Sequence, residues 1–192
     1  MKILGIDPGS VFCGYGIIES NGQKLSVIEY GTIEVKKKTE YLPLRMKEIY
    51  DRILSVIDRT TPDSAATESV FYSKNVQSLI KLTMARSAAM LAVINRGIDI
   101  AEYSAKDIKR AVTGRGNANK EQVRYMMKTL LNIAETNIYY DTTDALAIAV
   151  CHSNHIVLGG KNSFCWNNCN KSTKETSWKK YLENNPDKIV KL

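Results

Sequence analysis

Three segments, far apart in this chain of 192 residues, each place acidic residues at the edge of an apolar run. Asp7 ends the first run and precedes a Pro-Gly turn signal, and Glu68 ends a second short run. Asp141 and Asp144 open a third, longer run. A carboxylate carried towards a core needs a cation or hydrogen-bond donors to offset the loss of its hydration. The pattern therefore predicts strand ends and a helix start that bring carboxylates to one point.

The spacing of apolar residues predicts an α/β fold built on one mixed sheet. Three consecutive strands are expected to form an antiparallel meander, with Asn21-Gly22 as the hairpin turn between the second and the third. Later strands alternate with helices, which adds parallel pairing and places helices on both faces of the sheet. The predicted strands are 2–7, 12–20, 25–35, a segment ending at Glu68, and 98–103; the predicted helices are 42–57, 75–94, 104–112, one capped by Asn119, and 141–156.

The chain is predicted to form one domain over residues 1–158, followed by a basic C-terminal extension over 159–192. The apolar content of 44% and the charged content of 24% are ordinary for a globular protein. No apolar stretch reaches the roughly 20 residues of a membrane span, and the run before Asp7 is too short for a secretory signal. We therefore expect a cytoplasmic protein without membrane association and with a flexible or loosely packed extension.

The net charge of +7 favours a polyanionic partner, although a solvated lysine-rich surface explains it equally well. The four cysteines do not predict a disulfide framework. Cys13 and Cys151 lie in apolar segments, where a free cysteine usually acts as a small hydrophobe. Cys165 and Cys169 have a spacing found in some zinc sites, but no second pair completes one, so reduced thiols are expected.

The acidic residues favour a metal site more strongly together than separately. Asp141 and Asp144 lie three residues apart and so share one face of a helix. Asp141 has an alternative role, because an aspartate at a helix start can cap free N–H groups and suits the positive end of the dipole. Carboxylate and water oxygens are the ligands that Mg²⁺ and Mn²⁺ prefer, and paired ions about 4 Å apart catalyse phosphoryl chemistry on nucleic acids.

Two other features have ordinary structural interpretations. His152 and His155 are expected to pack or cap rather than to bind metal, since even His152 lies about 12 Å along the helix from Asp144. The helix over 75–94 carries small residues at Ala85, Ala88, Ala89 and Ala92. Small side chains allow another element to approach closely, so this face predicts packing against the chain's own sheet or, alternatively, a dimer interface.

Four motifs of this chain resemble those of the RuvC family of Holliday-junction resolvases. They are Ile-Asp-Pro-Gly-Ser at 6–10 with Gly-Tyr-Gly at 14–16, the segment 68–75, the segment 109–120, and Asp-Thr-Thr-Asp-Ala-Leu-Ala at 141–147 continuing to Cys151-His152. They occur in the family's order. The resemblance implies a ribonuclease H-like fold, a homodimer, and metal-dependent incision of four-way DNA junctions by paired symmetric nicks during recombination and repair.

The resemblance also implies a catalytic set. Carried over residue by residue, it makes Asp7, Glu68, Asp141 and Asp144 the ligands of two Mg²⁺ ions, with Mn²⁺ as a substitute. Asp7 is expected to bridge the two ions. Glu68 is expected to hold one ion, and the two helix aspartates the other.

A set of DNA contacts follows from the same resemblance. Phe71 is expected to stack on bases or wedge between them near the crossover, with a core phenylalanine as the alternative. Lys109 and Lys120 match lysines that lie near the cleaved strand, although a helix lysine is otherwise simply solvated. Arg115, between two glycines, is a further candidate phosphate contact. The RuvA–RuvB branch-migration complex is an implied partner besides the junction itself.

The chain departs from the family pattern in three places. Asn-Ile-Tyr-Tyr at 137–140 replaces the usual proline-containing approach to Asp141. Thr142 and Thr143 replace alanines, which lowers helix propensity. The basic extension has no counterpart in the pattern; its charge adds non-specific DNA affinity or has no functional effect.

Two other functions stay open from the residues alone. One is a junction-binding architectural protein that does not cut DNA, against which the intact set of acids argues. The other is a ribonuclease H-like nuclease that acts on RNA–DNA hybrids.

Overall fold

The computed structural model describes residues 1–22, 24–35, 40–69, 75–134 and 138–159. Phe71, Cys165 and Cys169 lie outside these residues, as does the basic extension beyond Gly159. Among the described helices, none combines the length and the hydrophobicity that crossing a membrane requires.

Within the described residues, five strands form one mixed sheet, as the sequence predicted. Strands β1, β2 and β3 pair antiparallel as a meander, and β4 and β5 add to the other side of β1 in parallel pairing. At the hairpin between β2 and β3, Gly22 has a φ of 89°, a value that glycine adopts without steric cost. The spatial order is β3-β2-β1-β4-β5, and the strands are β1 (Lys2–Asp7), β2 (Phe12–Ser20), β3 (Leu25–Glu34), β4 (Ser64–Glu68) and β5 (Ile100–Tyr103).

The described helices are α1 (Leu42–Thr60), α2 (Val76–Ile94), α3 (Ala105–Thr113), α4 (Lys120–Leu130) and α5 (Tyr140–Val157). The predicted cap of α4 is confirmed, because Asn119 accepts a hydrogen bond from the Gln122 N–H while the Gln122 side chain accepts one from the Asn119 N–H. Ser104 likewise caps α3. Helix α1 runs three residues past its predicted end and stops where Thr61 adopts a left-handed conformation.

Helices cover both faces of the sheet and bury a separate apolar cluster on each. One cluster joins the sheet to α1 and α2, and the other joins it to α3, α4 and α5. The four alanines of α2 are buried in the first cluster, so that face of the helix packs on the chain's own sheet and not on a second copy. Cys13 and Cys151 are free and buried, which confirms the expectation that they act as small hydrophobes.

His152 is a packing residue, as predicted. Its imidazole is fully buried, with Nε2 2.5 Å from the Ser64 hydroxyl and Nδ1 2.7 Å from the Tyr103 hydroxyl. Burial lowers the pKa of His152 to about 4, because the charged form would lose its hydration. The neutral ring therefore ties α5 to β4 and β5.

Helix α5 lies almost on the backbone of β1 and β2. A methyl group added at Gly5 would lie 2.0 Å from the carbonyl oxygen of Ala145, and one at Gly14 would lie 1.9 Å from that of Asp141. At Gly16 an added methyl would meet the Leu146 side chain at 2.6 Å. Since real side chains do not approach backbone this closely, the glycines set the depth at which α5 lies on the sheet.

We expect Gly14→Ala to push the first turn of α5 away from β2 and to destabilise the protein by about 1–3 kcal/mol, the usual cost of overpacking. Gly31→Ala in β3 is the matched control, because its methyl would meet the outer edge of the Tyr15 ring, which can move. Urea denaturation measures both. Equal stabilities for the two variants would show that the close approach at Gly14 is unimportant.

Candidate active site

Asp7 and Glu68 emerge side by side at one edge of the sheet. Asp7 ends β1 and Glu68 ends β4, and these two strands are parallel. The residues just before them, Ile6 and Thr67, are paired across the two strands. Side chains alternate between the two faces of a strand. Asp7 therefore shares its face with Gly5, which contacts α5, and Glu68 shares its face with Ala66, which belongs to the α5 cluster. Both carboxylates thus point to the face that α5 covers.

The first two turns of α5 carry the other two acids to this edge. Asp141 lies over Gly14, and Gly14 is the cross-strand partner of Asp7. Asp144 follows three residues later on the same face of the helix. The predicted convergence of the four acids on one edge is therefore what the fold produces.

The alternative role of Asp141 as a helix cap is wrong. Helix α5 begins one residue earlier than predicted, and Tyr139 occupies the N-cap position with extended backbone and no side-chain cap. Asp141 is the second residue of the helix, where its charge still suits the positive end of the dipole. Its carboxylate is thus not used as a cap and remains available at the site.

Burial and repulsion from neighbouring acids raise the pKa of three of these carboxyl groups, Asp7, Glu68 and Asp144. Burial raises the pKa of Asp7 to about 8, and the charges of Asp144, Glu68 and Asp141 add to that rise. Burial and the charge of Asp144 raise the pKa of Glu68. Burial also raises the pKa of Asp144. The cluster therefore binds protons or cations more strongly than isolated carboxylates do.

Two of the four predicted DNA contacts, Lys120 and Lys109, lie beside the acids. Lys120 opens α4, and its Nζ is 3.9 Å from a carboxylate oxygen of Asp144. Its positive charge partly opposes the rise in the pKa of Asp144. Lys109 on α3 opposes the rise in the pKa of both Glu68 and Asp144. The Lys120 side chain is 72% exposed, so it can also reach a ligand in solution.

The other two predicted DNA contacts have different outcomes. Arg115 is exposed in the connection between α3 and α4, where it lines a cavity of about 510 Å³ together with Tyr125 and Met126. This places it beside α4, the helix that Lys120 opens, and its contact with phosphate stays a prediction. Phe71 lies outside the described residues, so its role also stays a prediction.

The sequence did not predict the contacts of Arg86, which holds the end of β4 at this edge. Arg86 of α2 donates a hydrogen bond from Nε to the carbonyl oxygen of Glu68 at 3.3 Å, and its Nη2 is 2.6 Å from a carboxylate oxygen of Glu102 on β5. The signal was a single arginine beside alanines on the buried face of α2. Its partners are recognisable only once β4 and β5 are neighbours.

A second missed contact fixes the start of α5. The hydroxyl oxygens of Thr142 and Thr32 lie 2.6 Å apart, which joins the first turn of the helix to β3. The Thr143 hydroxyl donates to the carbonyl oxygen of Tyr140 at 2.9 Å. The threonines thus offset their low helix propensity with hydrogen bonds that hold Asp141 and Asp144 in place.

The donor set has the chemistry of a site for a hard divalent cation. Four carboxylates lie at one edge of the sheet, and a cation there would relieve both their repulsion and the loss of hydration. Within the described part of the chain, no three His, Cys, Asp or Glu side chains are already arranged to hold an ion. The charges of neighbouring acids raise the pKa of Asp7, Glu68 and Asp144, and metal binding would require the side chains to adjust. Their role as ligands stays a prediction.

Comparison with known proteins identifies the family. The sequence model of the crossover junction endodeoxyribonuclease RuvC family matches residues 3–152. The chain belongs to the RuvC family. The Salinibacter ruber RuvC is 39% identical over 189 residues, which cover 98% of this chain and 99% of that protein. The Geotalea uraniireducens RuvC is 46% identical over 160 residues, which cover 83% of this chain and 92% of that protein.

A solved RuvC structure has the same fold. The structure of T. thermophilus RuvC in complex with Holliday junction substrate matches with a TM-score of 0.78 and 28% identity, covering 84% of this chain and 98% of that one. The ribonuclease H-like fold that the sequence predicted is therefore confirmed, including its mixed sheet and its helices on both faces.

Without divalent metal, we expect Asp7→Asn to be more stable than the wild type at pH 7.5. The folded protein keeps a proton on Asp7 up to about pH 8, whereas the unfolded chain loses it near the ordinary pKa of 3.8. Between these values the folded state binds more protons, so the wild type loses stability as pH rises. The asparagine variant lacks this loss. At about 1.4 kcal/mol per pKa unit, it should gain up to about 5 kcal/mol at pH 7.5 and only about 1 kcal/mol at pH 4.5.

Urea denaturation in EDTA at pH 4.5, 6.0 and 7.5 measures this difference. Asp51→Asn is the control, because Asp51 is an exposed α1 residue paired with Lys47, and its substitution should change stability by less than about 0.5 kcal/mol. A wild type more stable than Asp7→Asn at pH 7.5 would contradict the proposed cost of the acidic cluster.

Proposed function

We propose that this chain is a metal-dependent endonuclease that resolves four-way DNA junctions by paired symmetric nicks in homologous recombination and repair. The observation that carries the proposal is the meeting of Asp7, Glu68, Asp141 and Asp144 at one edge of a ribonuclease H-like sheet. Membership in a family of crossover junction endodeoxyribonucleases supplies the substrate class.

The four acids are the groups that would hold the metal, as two Mg²⁺ ions with Mn²⁺ as a substitute. The raised pKa values of Asp7, Glu68 and Asp144 support this assignment, because a divalent charge offsets the energy that burial and repulsion cost. Bound ions supply a lowered pKa for the attacking water and charge compensation for the leaving 3′ oxygen.

The chain's own residues position the scissile phosphate and the acids. Lys120 and Lys109 present positive charge beside the carboxylates, where they attract the DNA backbone and balance negative charge in the transition state. Arg86 holds the end of β4 through the Glu68 carbonyl group. The lysines thus contribute positive charge, and the arginine contributes rigidity.

A covalent enzyme intermediate is not part of this mechanism. Cys13 is the thiol whose ionisation the acids influence, and it is fully buried. Burial and the charges of Asp7 and Asp141 raise the pKa of Cys13 to about 12. A thiol in this state is not ionised at neutral pH and is no nucleophile. The proposed chemistry is therefore direct hydrolysis of the phosphodiester bond by water.

Purified protein should nick a labelled four-way junction symmetrically in Mg²⁺ and should leave linear duplex and RNA–DNA hybrid uncut. EDTA should abolish incision. Asp7→Asn should lower the rate at least 100-fold while it leaves junction binding within a few-fold, because it removes a metal ligand and keeps the fold. Asp51→Asn, on the α1 surface, should cut like the wild type.

Each other outcome of this assay points to a different function. Binding to the junction without incision would indicate an architectural protein. Cleavage of the hybrid alone would indicate a ribonuclease H. Full activity in Asp7→Asn would overturn the assignment of the acids.

The proposed active form is a homodimer that pairs through the outer face of α2. Four apolar side chains there, Val76, Ile80, Met84 and Leu91, are between 39% and 59% exposed. At 100° per residue they fall within about 80° of the helix circumference and form one stripe. A two-fold axis through such a stripe presents two active sites to a junction that has two-fold symmetry itself. RuvA and RuvB are proposed partners by family membership alone.

The double variant Ile80→Glu/Leu91→Glu should be monomeric in sedimentation equilibrium at concentrations where the wild type is a dimer, because it places charges in the apolar stripe. It should also lose paired nicking and produce single nicks. Tyr125→Glu, an exposed residue of α4, is the control and should keep the wild-type mass. An unchanged mass in the double variant would exclude this face as the interface.

A further inference from the structure

We propose that Tyr139, supported by Phe12, forms a stacking platform that takes an unstacked nucleobase of the junction next to the scissile phosphate. This inference rests on the proposed function and adds a substrate-binding residue to the same site. The platform is the pair of rings, Phe12 below and Tyr139 outside.

The two rings form an exposed stacked pair. Their centroids are 6.1 Å apart and their planes differ by 25°, an offset-stacked arrangement. Tyr139 is 62% exposed, whereas Phe12 is half-buried. One face of the tyrosine is therefore supported from within the protein while much of the ring is open to a ligand.

The pair lies at the same edge of the sheet as the acids. Tyr139 is the N-cap residue of α5 and precedes Asp141 by two residues. Phe12 opens β2, on the same face of that strand as Gly14, over which Asp141 lies. A phosphate held at the acids therefore brings its neighbouring bases close to Tyr139.

The backbone at Tyr139 is held by a hydrogen bond, and the adjacent Tyr140 makes different contacts. The Thr143 N–H donates to the Tyr139 carbonyl oxygen at 3.2 Å. The Tyr140 hydroxyl donates to Glu121, and the Arg124 guanidinium lies 4.8 Å from the centre of the Tyr140 ring. Tyr140 thus joins α5 to α4, which leaves Tyr139 as the tyrosine that faces outward with its position already ordered.

Stacking on an aromatic ring suits an unpaired base of any type, because every base has a π-face. In linear duplex the bases stay stacked on one another and do not reach the ring. At a crossover the stack is interrupted, so a base can turn towards Tyr139. The platform therefore favours junctions over duplex without selecting a particular base.

Two variants separate stacking from packing. Tyr139→Phe keeps the aromatic ring, and Tyr139→Leu keeps apolar bulk against Phe12 but removes the π-face. We expect kcat/KM for junction incision to fall about tenfold in Tyr139→Leu and to stay within twofold in Tyr139→Phe, since one base stack is lost only in the former. Tyr41→Leu, an exposed tyrosine before α1, is the control and should cut like the wild type.

A direct readout uses 2-aminopurine placed beside the cleaved phosphate, with all binding measured in the Asp7→Asn background. The fluorescence of 2-aminopurine in the complex should be quenched in the protein with Tyr139 and in the Tyr139→Phe variant. It should be higher in the Tyr139→Leu variant. Binding to linear duplex should be the same for all three.

Two results would overturn the inference. If the Tyr139→Leu variant cuts the junction at the wild-type rate and quenches 2-aminopurine equally, the platform is excluded while the proposed function stands. A wild type that leaves the junction intact in both Mg²⁺ and Mn²⁺ would remove the proposed function and this inference together.

Discussion

The close contact between α5 and the backbone of β1 and β2 is the constraint on which the site depends. Asp141 and Asp144 belong to the helix, while Asp7 belongs to the sheet below it. The helix can bring its acids to this edge because Gly5 and Gly14 have no side chain to hold it away from the sheet. The Thr32–Thr142 contact then fixes the helix at its first turn. Close packing thus determines where the acidic side chains lie, in addition to stabilising the fold.

The same contact makes the site electrostatically unfavourable when it is empty of cations. Burial is the first cause of every raised carboxylate pKa at this edge, and repulsion between the acids comes second. Lys120 and Lys109 reduce this cost but do not remove it, since the pKa of Asp144 stays raised beside both. Strain of this kind is typical of a site whose stability is completed by a ligand. The rest of the domain, with two apolar clusters, has to supply the compensating stability.

Most of the fold and the position of the acids could be predicted because both follow from local patterns. Apolar runs, the Asn-Gly turn and the helix caps located nearly every element. The apolar runs that end at Asp7 and Glu68 also located both acids at strand ends. Helix boundaries were less predictable, and α5 begins at Tyr140 because Tyr139 takes the N-cap in place of an aspartate.

What could not be predicted are contacts between residues distant in sequence. Thr32 and Thr142 are 110 positions apart, and neither has a feature that points to the other. The stacking of Phe12 on Tyr139 is similar, since each aromatic residue by itself suggests only a packed or exposed side chain. Such pairs depend on how two elements meet, which hydrophobic periodicity does not specify.

Helix α2 links the candidate active site to the proposed dimer interface. Its inner face carries Arg86, which holds the carbonyl group of Glu68 and pairs with Glu102. Its outer face carries the apolar stripe through which we propose that two copies pair. Because a helix moves as a rigid body, a shift of α2 on dimer formation would carry Arg86 with it and alter the end of β4. In the proposed dimer, the orientation of Glu68 would then depend on the partner subunit.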